Sequence, residues 1–212
     1  MSKAVFLDLD GTLIDPKSGI TSSIQHALTA IGIDPPHADA LEWCIGPPLL
    51  DSLAKLGAPD PDLALQHYRE VYEAGRITDA RVYPRIPDTL KALDAAGHRL
   101  FLATAKPHVF ARMITAHFGL DLHLEAQYGP ETDGARNDKG DLLRHALSQR
   151  GIAPENAVMV GDRGSDLTAA RAAGMPFVGV TWGFAQPGEM DGADALAHHA
   201  EDIPRAVEAL GG

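Results

Sequence analysis

Four short apolar runs stand out along the chain: AVFLDLD at 4–10, RLFLATA at 99–105, AVMVGD at 157–162 and PFVGVTW at 176–182. They are near-continuous rather than alternating. A strand with one wet face alternates apolar and polar residues, whereas a parallel strand covered on both faces does not. The runs are therefore read as parallel strands. The stretches between them carry helical signals. PDTLKALDAAG precedes the second run and stops at Gly97, and PHVFARMITAHFG follows it, with Pro107 where a first turn tolerates proline. Residues 138–151 place Leu142, Leu143, Ala146 and Leu147 on one helical face, and SDLTAARAAG follows the third run. Strands alternating with helices predict an α/β domain built on a parallel sheet.

Residues 16–84 break this rhythm. SGITSSIQHALTAIG sets Ile20, Ile24, Ala27, Leu28 and Ile31 on one stripe, and PPLLDSLAKLG and PDLALQHYREVYEAG read as two further helices. No strand is legible among them. The segment reads as a helical insertion after the first strand, with Pro16 and Pro84 suited to its two connections.

The polar residues within this pattern carry the chemistry. Asp8 and Asp10 close the first run, Thr104 the second and Asp162 the third. Ligand sites of open parallel sheets lie beyond the carboxyl ends of the strands, so three strands aim polar groups into one crevice. Lys139 opens a helix leading into the third run, and Asp166 lies about one turn after Asp162. At ~4 Å two carboxylates repel by about 4 kcal/mol at an effective dielectric of 20. The cluster Asp8, Asp10, Asp162, Asp166 is thus tolerable around a cation, and all-oxygen ligands without His or Cys favour Mg²⁺. Thr104, Lys139 and the backbone amide of Gly11 could hold phosphate oxygens. One carboxylate can attack phosphorus while a second protonates the leaving group.

Composition narrows the picture. The 212 residues are 45% hydrophobic and 22% charged, enough for a globular core. The net charge of -11 argues against nucleic-acid binding through a basic surface. Cys44 is the one cysteine, so no intrachain disulfide can form. No apolar run approaches the ~18 residues of a membrane span, and the acidic residues soon after the start do not suit a signal peptide. A cytoplasmic protein, monomer or homodimer, is the expectation.

DLDGTLID, LATAKP, Lys139 and VGDRGSDLTAA resemble, in order and spacing, the four motifs of the haloacid-dehalogenase-like hydrolases. Within that family, DGTLIDPKSGI, IGPPL and WGF resemble the phosphoglycolate phosphatase-like branch, some of whose members are described as 5′-nucleotidases. The resemblance implies a Rossmann-like three-layer core of residues 1–15 and 85–212 and an α-helical cap of residues 16–84. It implies Asp8 as nucleophile and Asp10 as general acid/base, whose carbonyl also meets Mg²⁺. Thr104 and Lys139 would hold phosphate, and Asp162 would ligate the metal with Asp166 in or near its outer shell. Phosphoglycolate is the first substrate expected, a nucleoside monophosphate the second.

Two positions depart from the branch. Arg85 stands where a glycine is expected at the return from the cap, and Arg163 stands in the fourth motif where relatives carry a small polar residue. Arg163 is either a substrate contact or a local ion pair, and Gly46 and Pro47 are candidates for choosing substrate from the cap. A sugar phosphomutase shares the first half-reaction. A receiver-like phosphorylation switch also clusters acids with Thr and Lys, but it is far shorter, has no helical insertion and no counterpart of Asp10.

Overall fold

The computed structural model describes residues 2–131 and 136–210. Among these residues there are eight strands, β1 (Ala4–Leu7), β2 (Ile14–Asp15), β3 (Arg81–Val82), β4 (Arg99–Ala103), β5 (Ala126–Tyr128), β6 (Ala157–Gly161), β7 (Phe177–Val180) and β8 (Ala195–Ala197). Eight α-helices accompany them: α1 (Lys17–Ala30), α2 (Leu49–Lys55), α3 (Pro61–Glu73), α4 (Ile86–Ala95), α5 (His108–His117), α6 (Lys139–Arg150), α7 (Gly164–Ala172) and α8 (Ile203–Ala209). Two compact units result: residues up to Ile14 with those from Val82 onward, and Asp15–Arg81.

In the first unit six strands form one sheet in the order β5-β4-β1-β6-β7-β8, and every pairing is parallel. β1 is central, with Ala4 opposite both Arg99 and Ala157. Because successive side chains point to opposite faces, Phe6, Phe101, Met159 and Phe177 share one face and are buried with Leu142, Leu143, Ala146 and Leu147 of α6 and Ala169 and Ala170 of α7. Phe6 and Phe101 stack with ring centroids 4.9 Å apart. The alternate residues Val5, Leu7, Leu100, Leu102, Val158 and Val160 face the other side and are equally buried. Both faces are covered, hence the unbroken apolar runs.

The strands are shorter than the runs that predict them, because the polar residue closing each run lies beyond the last ladder pair. β5 and β8 have no counterpart in the sequence reading: AQY and ALA are short and partly exposed. A two-residue strand, β3, also lies where no strand is legible, and it pairs with β2 in a separate ribbon.

The second unit is helical. The stripe of α1 is buried at Ile20, Ile24, Ala27 and Leu28 and packs against α3, where Tyr68 and Tyr72 stack at 5.1 Å. Lys17 Nζ lies 2.5 Å from both Asp39 and Glu42, tying the start of α1 to the 3₁₀ turn at Ala38–Cys44. Gly46 and Pro47 follow that turn, Gly46 with φ of 103°. Among the described residues no helix is long and apolar enough to cross a membrane.

Candidate active site

The three neighbouring strands β4, β1 and β6 are followed at once by Thr104, Asp8 and Asp162, so parallel pairing alone brings these side chains to one rim. Asp8, Thr104, Asp162 and Asp166 are buried. Asp138 caps α6 by accepting the N–H of Asp141 at 2.8 Å, which places Lys139 at the first helical position. A cation there opposes the helix dipole and needs anionic partners. It has two: Lys139 Nζ lies 2.8 Å from Asp8 Oδ1 and 2.5 Å from Asp166 Oδ1. The other Asp166 oxygen accepts the N–H of Arg163 at 3.1 Å at the start of α7.

Asp162 is held on both sides. Its Oδ1 accepts from Thr12 Oγ1 at 3.2 Å and its Oδ2 from the N–H of Phe184 at 2.8 Å. The Trp182 indole donates to the Thr12 carbonyl at 3.2 Å, so the segment after β7 and the turn after β1 lock together around this carboxylate. Two glycines make room for it. A Cβ on Gly11 would overlap the Asp162 carboxylate, and one on Gly183 would overlap Asp162 and the Gly11 carbonyl oxygen. Gly11 also has φ of 84°, which glycine adopts at little cost. Its amide donates to the Ile14 carbonyl at 2.8 Å. That bond engages the amide expected to meet phosphate, and Gly11 also gives the site space.

Asp10 meets a residue that the sequence reading did not select. Lys106 Nζ lies 2.8 Å from Asp10 Oδ2 with both side chains largely buried, and the Lys106 N–H donates to Thr104 Oγ1 at 3.2 Å. Thr12, Gly183 and Phe184 were missed as supports of Asp162. Arg163 resolves to the ion pair: its guanidinium meets Glu189 at 2.9 and 3.1 Å, and Glu189 also accepts the Gly164 N–H at 3.0 Å. Arg85 pairs with Asp88 and Glu201.

The charges do not balance. Three buried carboxylates (Asp8, Asp162, Asp166) and the largely buried Asp10 face two ammonium groups (Lys106, Lys139), an excess of two negative charges when all are ionised. Burial pushes Asp10 up against the opposing pull of Lys106. It pushes Asp162 well above the usual carboxylate range, with the Asp166 and Asp8 charges adding. Asp166 is pushed up to about 6 by burial, although Lys139 pulls the other way. Burial opposes the charge on Lys139, but Asp166 and Asp8 more than offset it and raise its pKa. A dry carboxylate cluster must take up either protons or a cation.

The donor set fits a cation. Asp8, Asp162 and Asp166 each offer an oxygen, all within 4.8 Å of one another. Asp8 Oδ1 and Asp10 Oδ1 are buried without a hydrogen bond among the described residues, and Lys139 Nζ stands 2.8 Å from Asp8 Oδ1 as an ion pair. A missing charge of two and donors that are all oxygen match a hard divalent ion.

The family model described as haloacid dehalogenase-like hydrolase matches residues 5–180. A 5′-nucleotidase of Pseudomonas aeruginosa is 43% identical over 97% of this chain and 94% of its own. A phosphoglycolate phosphatase of Agrobacterium fabrum is 30% identical over 87% of this chain and 82% of its own. The crystal structure of a predicted phosphatase from Clostridium acetobutylicum superposes with a TM-score of 0.92 at 31% identity, covering 99% of each chain. With the acid-lined rim of the sheet and these phosphatase relatives together, the chain belongs to the haloacid dehalogenase-like hydrolases and is a phosphoric monoester hydrolase.

Proposed function

We propose that this protein is a Mg²⁺-dependent phosphatase that hydrolyses a small phosphate monoester through a phosphorylated Asp8. The observation that carries the reading is the crowding of four carboxylates around two lysines, with Asp8 Oδ1 and Asp10 Oδ1 buried and without a hydrogen bond among the described residues. Asp8, Asp162 and the carbonyl of Asp10 would hold Mg²⁺, with Asp166 beside them. When bound, the ion neutralises charge between a carboxylate nucleophile and an anionic phosphate.

The chain's own residues then divide the work. An Asp8 oxygen attacks phosphorus as the bond to the ester oxygen breaks, and that oxygen takes a proton from Asp10. Asp10, now a carboxylate, takes a proton from water, whose oxygen attacks the same phosphorus. The bond from phosphorus to Asp8 breaks, releasing inorganic phosphate and restoring the carboxylate. Thr104 and Lys139 hold the phosphate oxygens, and Lys139 also holds the Asp8 and Asp166 carboxylates in place.

Nucleoside 5′-monophosphates come ahead of phosphoglycolate as substrate. The relative named for the former is 43% identical and the one named for the latter 30%, although the motifs alone favour phosphoglycolate. The unit Asp15–Arg81 serves as a helical cap, with Gly46 and Pro47 helping to choose the substrate. The test is release of inorganic phosphate from nucleoside 5′-monophosphates, phosphoglycolate and a hexose 1-phosphate, with Mg²⁺ and with EDTA. Mg²⁺-dependent hydrolysis led by a nucleotide is expected. Conversion of the hexose 1-phosphate to its 6-phosphate, or no turnover of any ester, overturns the reading.

A further inference from the structure

Lys106 has no role in the steps above, yet its placement is specific. The ammonium and the Asp10 carboxylate are 2.8 Å apart, with 7% and 12% of their side chains exposed. Its backbone N–H donates to Thr104 Oγ1 at 3.2 Å. One residue thus fixes two polar groups at the ends of adjacent strands. The second lysine of the site is committed elsewhere, to Asp8 and Asp166. Lys106 holds one Asp10 oxygen, Oδ2, while Oδ1 is buried and accepts no hydrogen bond among the described residues. A carboxyl group anchored by one oxygen cannot turn, so it presents the other in a single direction. Proton transfer needs such fixed alignment, because small misplacements of a reacting group cost large factors in rate.

We infer that Lys106 is a positioning residue for the general acid: it clamps Asp10 Oδ2 so that Oδ1 delivers its proton to the departing ester oxygen. The inference rests on the phosphatase reading. As the bond between phosphorus and the ester oxygen breaks, its electron pair stays on that oxygen, which receives the Oδ1 proton. Lys106 keeps its own three protons before and after. The alternative use of the same ammonium, a direct grip on the substrate phosphate, predicts different kinetics.

The test uses the dependence on leaving group. kcat/KM covers the steps up to departure of the alcohol, and a nitrophenolate departs without a proton whereas an alkoxide does not. K106M is expected to lower kcat/KM by about 10- to 100-fold on the best alkyl ester of the panel and by less than about threefold on p-nitrophenyl phosphate. D10N is expected to show the same selectivity. Arginine retains the charge but reaches Asp10 with a different fork, so K106R should show a smaller loss with the same preference; it carries the contrast if K106M does not fold. Equal losses on both esters, or a raised KM with kcat unchanged, overturn the inference and leave the phosphatase reading standing. A wild-type protein inactive on every ester overturns that reading itself.

Discussion

The backbone N–H of Phe184 donates to Asp162 Oδ2 at 2.8 Å, joining the segment after one strand to the carboxylate that closes another. The contact exists because Gly183, just before it, brings its backbone against Asp162 and the Gly11 carbonyl with no room for a methyl group. Orientation of a metal-binding carboxylate by such partners is commonly worth 10- to 100-fold in affinity. G183A is therefore expected to weaken Mg²⁺ binding by about 10-fold or more. Calorimetric titration of the purified variant measures this directly, and wild-type affinity would show that the close approach is incidental.

Asp8 is the proposed nucleophile, and Lys139 and the end of β1 fix its carboxylate in place. D8N keeps shape and removes the attacking charge. Turnover should fall by more than about 10³-fold while the circular dichroism spectrum is retained, and no phosphorylated protein should be trapped after acid quench. Hydrolysis near the wild-type rate would assign the nucleophile elsewhere.

The raised acids tie stability to pH in an unusual direction. Asp166 holds its proton up to about 6 in the fold against an ordinary value of 3.8, and Asp162 shifts the same way. Between those two values the folded chain binds more protons than the unfolded one, so these groups' contribution to stability falls as pH rises. Under the proposed function, bound Mg²⁺ would replace the protons and remove the penalty. The increase in melting temperature on adding Mg²⁺ should accordingly be larger at about pH 7 than at about pH 4.5. An increase of the same size at both would detach the ion from these carboxylates.

Arg85 occupies the left-handed region, φ 67° and ψ −3°, just before α4. That conformation costs a residue with a Cβ about 1–2 kcal/mol. Its ion pairs to Asp88 and Glu201 are more than half exposed and offset little of this. R85G relieves the strain but gives the unfolded chain more freedom, worth ~0.4–1 kcal/mol. R85G should equal or exceed the wild type in urea denaturation, whereas R85A, which keeps the strain and loses both pairs, should fall below it. The reverse order would mean that the exposed pairs dominate.

Much of this was legible before any coordinates. Asp8, Asp162 and Thr104 declare themselves because each interrupts an apolar run, and burial makes an unexplained carboxylate conspicuous. Asp166 and Lys139 follow from helical spacing. Lys106 was not legible, since a lysine beside Pro107 reads as loop and its partner Asp10 lies on another strand's end. The hold of Phe184 on Asp162 was invisible for another reason: a backbone N–H is common to nearly every residue, and the sequence does not say where it points. β5 and β8 were missed because three-residue segments of partly exposed, small or polar residues carry no periodicity to read.

All six strands of the main sheet run the same way, so every reactive group of the site leaves from one rim. The opposite rim, where Lys3 donates its N–H to His98 Nδ1 and its ammonium to the Glu155 carbonyl, carries none of them. The exposed turn at Pro154–Asn156 on that rim is thus a natural handle for a fluorophore or a solid support. Immobilised through it, the protein would turn its chemistry outward toward solution.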